Sequence, residues 1–237
     1  MRQLLVALDV DTAAEARQLA DRLRGVAGGF KIGSRLFTGE GPRIVEELAA
    51  RGDRVFLDLK FQDIPNTVAG AVAAATRLGV WMVNVHAGGG TAMMRAAREA
   101  VHEEAAKRSR TAPLVIAVTM LTSLDDRAAA EVGFDRPVAG QVERLAALAQ
   151  SAGLDGVVAS PQEIGLIRRR CGADFAIVTP GIRGAGDAKG DQSRTLSAAE
   201  ALTAGATYLV VGRPVIGAPD PRAAAERIAE DCKTQVS

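Results

Sequence analysis

Val55-Phe56-Leu57-Asp58-Leu59-Lys60-Phe61-Gln62-Asp63 is a short apolar strand that breaks into a polar loop while carrying two acids and a base. Side chains alternate faces along a strand, so Asp58 and Lys60 point the same way, with Asp63 just past the strand end. That spacing holds one ammonium between two carboxylates. Acid-base-acid triplets are commonly no more than surface ion-pair networks. Here Phe56, Leu57 and Leu59 mark the strand as buried, and buried charge is costly unless paired. The triplet is therefore read as a site.

Outward from this strand the same rhythm repeats along the whole chain. Apolar or β-branched runs near residues 4–9, 29–33, 55–60, 82–87, 114–120, 156–159, 175–179 and 208–212 read as strands. Between them lie segments with apolar residues at helical spacing, such as Thr12–Arg24, Pro42–Arg51, Pro65–Leu78 and Thr91–Lys107. Eight strand-helix units without a linker predict an α/β fold, a single-domain (β/α)8 barrel of the TIM type over residues 1–237. An open doubly wound sheet is the alternative.

The 237 residues, 48% of them hydrophobic, suffice for one full core. A net charge of +1 gives no electrostatic case for nucleic acid or an anionic membrane. The longest basic run, Arg168-Arg169-Arg170, fits a helix C-terminus. Cys171 and Cys232 lack the spacing of a zinc or redox motif and read as free thiols in a reducing compartment. No export signal or membrane-spanning stretch is evident, so a cytoplasmic protein is expected.

Barrel enzymes build their sites at the C-terminal ends of strands. On that rule Asp9, Lys31, Asp58 with Lys60, His86, Thr122 with Ser123, and Arg213 gather at one rim. Barrels often bind phosphate after the last two strands, which matches Gly181-Ile182-Arg183-Gly184 and Gly212-Arg213-Pro214. The polar, glycine-rich run 182–193, with Gln192 near its end, suits a mobile lid that closes on the phosphate. Ser160 and Asp220 read as cap or turn residues, His86 as a packed strand residue and His102 as a helix-surface residue. Neither histidine has partners spaced for a metal, and no metal or cofactor is expected.

Phe56 through Thr67, preceded by Leu8-Asp9 and Phe30-Lys31-Ile32-Gly33, resembles the orotidine 5′-phosphate decarboxylase family. Val83-Asn84-Val85-His86, Val118 through Ser123, Thr179 through Arg183 with Gly190-Asp191-Gln192, and Gly212-Arg213-Pro214 continue the resemblance in order. Asp187-Ala188-Lys189-Gly190 and Leu196-Ser197-Ala198 depart from the commoner wording. The resemblance implies conversion of orotidine 5′-phosphate to uridine 5′-monophosphate and carbon dioxide, with Lys60 as proton donor flanked by Asp58 and Lys31. It implies that Asp9 and Lys31 hold the ribose hydroxyls and that Thr122 and Ser123 contact the pyrimidine. Gln192 would bridge base and phosphate, and Arg183, Gly212 and Arg213 would bind the phosphate. It further implies a homodimer in which Asp63 and residues near Thr67 complete the partner's site. Three alternatives are weighed. Magnesium-dependent phosphosugar decarboxylases share the Asp-x-Lys-x-x-Asp run but need an acidic residue near the second strand end, where this chain has Lys31. A phosphosugar isomerase barrel would need a different acid/base pair, and the third alternative is a catalytically silent nucleotide-binding barrel.

Overall fold

Aliphatic and β-branched runs form strands, and the alanine-rich segments between them coil into helices. The computed structural model describes residues 1–182 and 196–234. In chain order these are β1 (Leu4–Ala7), α1 (Ala13–Leu23), β2 (Gly29–Gly33), α2 (Ser34–Glu40), α3 (Arg43–Ala50), β3 (Val55–Phe61), α4 (Pro65–Arg77), β4 (Met82–His86), α5 (Gly90–Lys107) and β5 (Leu114–Val118). They continue with α6 (Asp126–Glu131), α7 (Val138–Ser151), β6 (Gly156–Val158), α8 (Ile164–Cys171), β7 (Ala176–Thr179), α9 (Ala198–Thr203), β8 (Tyr208–Val211), α10 (Arg213–Ile216) and α11 (Pro221–Thr234). Each strand pairs in parallel with the next, and β8 returns to β1, so the sheet closes as a (β/α)8 barrel.

Alternation along the strands splits the core in two. Leu5, Ala7, Phe56, Met82, Ile116, Val178 and Val210 fill the barrel interior. Their neighbours Leu4, Val6, Phe30, Ile32, Val55, Leu57, Val83 and Val85 face the helices in a larger outer cluster. Local chemistry sets the helix starts. Thr12 accepts from the Glu15 backbone N–H while the Glu15 carboxylate accepts from that of Thr12, a reciprocal cap on α1. Pro65 occupies the first turn of α4, where no backbone donor is needed. At the floor, Arg54 stacks 3.6 Å over Trp81, whose ring meets that of Tyr208 edge-on at 5.1 Å. The barrel is thereby plugged at the end opposite the rim.

The expected strands all form, with small shifts. β1 stops at Ala7, leaving Asp9 in the following loop, and β5 stops at Val118. The triplet Arg168-Arg169-Arg170 ends α8, and Arg168 donates to the carbonyls of Gly172, Ala173, Phe175 and Gly205. Cys171 and Cys232 are free and buried. Asp220 accepts from the backbone of Arg222 and Ala223 as a turn former, and Ser160 donates its N–H to the Glu163 carboxylate at a helix start. Of the expected lid at 182–193, Ile182 alone falls within the described residues, where it bridges to Leu196. No helix among the described residues is long and apolar enough to cross a membrane.

Candidate active site

The loop after β1 and the adjacent strands β2 and β3 deliver four charged side chains to one rim. Lys31 of β2 pairs in register with Ala7 of β1 and Phe56 of β3, which places its side chain between the two neighbouring strand ends. Its Nζ lies 3.2 Å from Asp9 Oδ1 and 3.3 Å from Asp58 Oδ2, and Lys60 Nζ lies 2.7 Å from Asp58 Oδ1. Asp9, Lys31, Asp58 and Lys60 thus form a row of alternating sign. The Lys31 and Asp58 side chains are only 11% and 12% exposed, while Lys60 opens to 36%. The row is buried in its middle and accessible at both ends, at Asp9 and at Lys60.

This geometry corrects the local arrangement expected from β3 alone. Within the chain, Asp58 is one carboxylate between two ammonium groups, not the reverse. Asp63 is exposed and its carboxylate accepts from the Ile64 backbone N–H at 2.6 Å, with no ion pair to Lys60. The third member of the cluster comes instead from β2, a tertiary neighbour that triplet spacing cannot reveal.

The end of β3 is also less regular than simple alternation implies. Leu57 pairs with Val83 and Phe61 with Val85, so Asp58, Leu59 and Lys60 stand opposite Asn84 alone. Lys60 adopts a left-handed backbone at φ 53°, which costs about 1–2 kcal/mol for a residue with a Cβ. Its N–H donates to Asn84 Oδ1 at 2.8 Å, and Asn84 Nδ2 donates to Asp58 Oδ1 at 2.7 Å. Asn84 is fully buried.

Charge follows from this environment. Burial alone would push the Asp58 carboxyl up, but the Lys31 and Lys60 ammonium groups, with hydrogen bonds from Lys60 and Asn84, hold it below the usual carboxylate value of 3.8. His86, half-buried at the end of β4, is pushed below 6.5 by burial and by the Lys60 ammonium, against the opposing pull of Asp58.

Above the row lies a cavity of about 500 Å3. Asp9, Lys31, Asp58 and Lys60 line one side, and Gly181, Ile182, Gly212, Arg213 and Pro214 another, with Phe56, Val178 and Val210 among the apolar walls. A site of this kind can seat an anionic group near Arg213 and an aromatic ring over the interior, and can bring an ammonium to a reacting atom. Thr122 lines the cavity, whereas Ser123 is exposed and outside the lining. Asp63 and Thr67 are exposed and outside the cavity of their own chain, and His86 is absent from its lining. Arg183 and Gln192 lie outside the described residues. Among the described residues no group of three or more His, Cys, Asp or Glu could hold a metal ion.

Three residues of the site were not anticipated. Arg35 lines the cavity and donates to the Asp11 carboxylate and the Asp9 carbonyl, bracing the Asp9 loop. Gly33 lies so near that an added Cβ would stand 3.0 Å from Lys31 Nζ. Asn84 carried a readable signal, an amide alternating with Met82 on the inward face of an apolar strand, since a buried amide must find partners.

Comparison with known proteins agrees with this geometry. The chain is 58% identical over 230 residues to orotidine 5′-phosphate decarboxylase of Moorella thermoacetica, covering 97% of this chain and 91% of that protein. It is 54% identical to that of Syntrophotalea carbinolica, covering 97% and 94%. The crystal structure of orotidine 5′-phosphate decarboxylase from Lactobacillus acidophilus superposes with a TM-score of 0.87 at 35% identity, over 98% of this chain and 99% of that one. With residues 2–228 matching the family model, the chain belongs to the orotidine 5′-phosphate decarboxylase / HUMPS family.

Proposed function

We propose that this chain converts orotidine 5′-phosphate to uridine 5′-monophosphate and carbon dioxide, acting as a cytoplasmic homodimer without metal or cofactor. The observation that carries the reading is the alternating row Asp9, Lys31, Asp58, Lys60, open to the cavity at Lys60. The phosphosugar alternative needs an acidic metal ligand near the end of β2, where Lys31 stands; a cation cannot ligate magnesium.

Loss of carbon dioxide leaves an electron pair at C6 of the pyrimidine with no adjacent carbonyl to receive it. A fixed ammonium stabilises that developing charge and then delivers a proton to the same carbon. Lys60 fills both roles. Asp58 would lie near the departing carboxylate, and two like charges about 4 Å apart repel by roughly 4 kcal/mol at an effective dielectric of 20. That repulsion vanishes as carbon dioxide leaves, while a preorganised ammonium supplies the larger part of the stabilisation. Asp9 and Lys31 would orient the ribose and Thr122 and Ser123 the base. Gly212 and Arg213, with Arg183 and Gln192 of a closing segment 182–193, would hold the phosphate. Remote phosphate binding is then used to align the ring.

The homodimer is supported by the segment that runs from the end of β3 into the first turn of α4. Residues 62–67 are all exposed, and Ile64 shows 67% of its surface to solvent. An aliphatic residue so exposed beside Asp63 and Thr67 suits a contact that carries them into a partner's cavity. Orotidylate absorbance followed in buffer with chelator tests the reaction. A fall supports decarboxylation without metal, and a steady signal with bound nucleotide means a silent binding protein.

A further inference from the structure

The proposed function needs Lys60 held in place. Its backbone is left-handed and lies in the bulge of β3 where three residues stand opposite Asn84, so the Lys60 N–H has been taken out of the regular ladder. The acceptor it finds is a side chain, Asn84 Oδ1, at 2.8 Å. The other end of the same amide donates to Asp58 Oδ1 at 2.7 Å, the oxygen that also receives Lys60 Nζ. The orientation of the amide is fixed by its neighbours, because a backbone N–H needs an oxygen and a carboxylate needs a donor. Asn84 is fully buried in β4, on the same face as Met82 and His86, and it touches both members of the ion pair.

We propose that Asn84 is a positioning residue that locks the Asp58 carboxylate and the left-handed Lys60 backbone to each other, so that Lys60 Nζ is held at one point of the cavity. The inference rests on the decarboxylation proposed above. Asn84 acts through Asp58 and Lys60, and its contribution belongs to the chemical step and not to nucleotide binding. Gly212 and Arg213 approach the cavity from the end of β8, four strands away from β4 around the closed barrel.

Asn84→Asp keeps an acceptor for the Lys60 N–H but sets an oxygen against Asp58 Oδ1. Asn84→Ala removes both hydrogen bonds. Each variant is assayed for turnover of orotidine 5′-phosphate, and its affinity for uridine 5′-monophosphate is measured by calorimetry. The expected result is a fall in kcat of about a hundredfold with product affinity within about threefold of wild type. A kcat within about threefold of wild type overturns the proposal, as does a parallel loss of kcat and product affinity, the mark of a purely structural role. If neither variant folds by circular dichroism, Asn84→Ser, smaller and neutral, is judged by the same two outcomes. Wild type is assayed first: no turnover there refutes the reaction itself, whereas turnover in wild type and variants alike refutes only the role of Asn84.

Discussion

At the scale of single residues, the site turns on how Asp58 is held. Two ammonium groups and a buried amide converge on its carboxylate, which keeps it ionised despite burial. Lys60 is the exposed end of that arrangement and the group free to meet a substrate. Lys60→Ala should reduce turnover by several orders of magnitude while uridine 5′-monophosphate still binds, since the phosphate end is untouched. Single-turnover kinetics and calorimetry check it, and retained decarboxylation would remove Lys60 as proton donor. His86 makes a separate prediction about pH. Its folded value lies below 6.5, so the unfolded chain binds the proton more readily as the solution is acidified. The stability tied to neutral His86 is present above 6.5 and is lost as pH falls through 6.5 toward the folded value. Thermal melts between about pH 7.5 and 5.5 should fall in wild type and fall less in His86→Asn. Equal slopes would show that His86 is not the group responsible. Asp58 shifts in the same sense, but its loss of stability begins only as pH drops below 3.8.

At the scale of elements, the barrel itself was legible because its period is simple. Eight β-branched runs alternating with amphipathic alanine-rich segments leave few other ways to bury the apolar faces. Asp9, Lys31, Asp58 and Lys60 were legible for the same reason, as charges at consecutive strand ends. The irregular end of β3 was not. No glycine marks the left-handed position, because Lys60 is held there by Asn84 from the next strand and not by its own preference. Arg35 could not be placed either, since its reach to Asp9 depends on how the loop after β1 lies against α2. Gly33 is similar: it pairs with Asp58 at the end of β2, in an extended conformation open to any residue, and only packing reveals its closeness to Lys31. Gly33→Ala should therefore fold normally but displace Lys31 Nζ and Asp9 Oδ1, which stand 3.0 Å and 3.4 Å from the added methyl. A loss of about tenfold in kcat/KM with an unchanged melting temperature is expected. Wild-type kinetics in that variant would show that the Lys31–Asp9 pair tolerates the shift without consequence.

At the scale of the whole molecule, one chain holds four members of the charged row, while Asp63, in the loop after β3, and Thr67, in the first turn of α4, are exposed and lie outside the cavity. If two chains pair about a two-fold axis so that this segment of each reaches the other's cavity, each site needs Lys60 from one subunit and Asp63 from the other. Lys60→Ala and Asp63→Ala, each inactive alone, should then recover about a quarter of wild-type activity when unfolded together and refolded, because one site in each mixed dimer is intact. No recovery, or a monomer by light scattering, would remove the shared site. The account as a whole rests on where one amine sits when a nucleotide is bound. A crystal structure with uridine 5′-monophosphate in the cavity should place Lys60 Nζ within about 3.5 Å of pyrimidine C6. Lys60 Nζ turned away from the ring into solvent, with another group against C6, would contradict it.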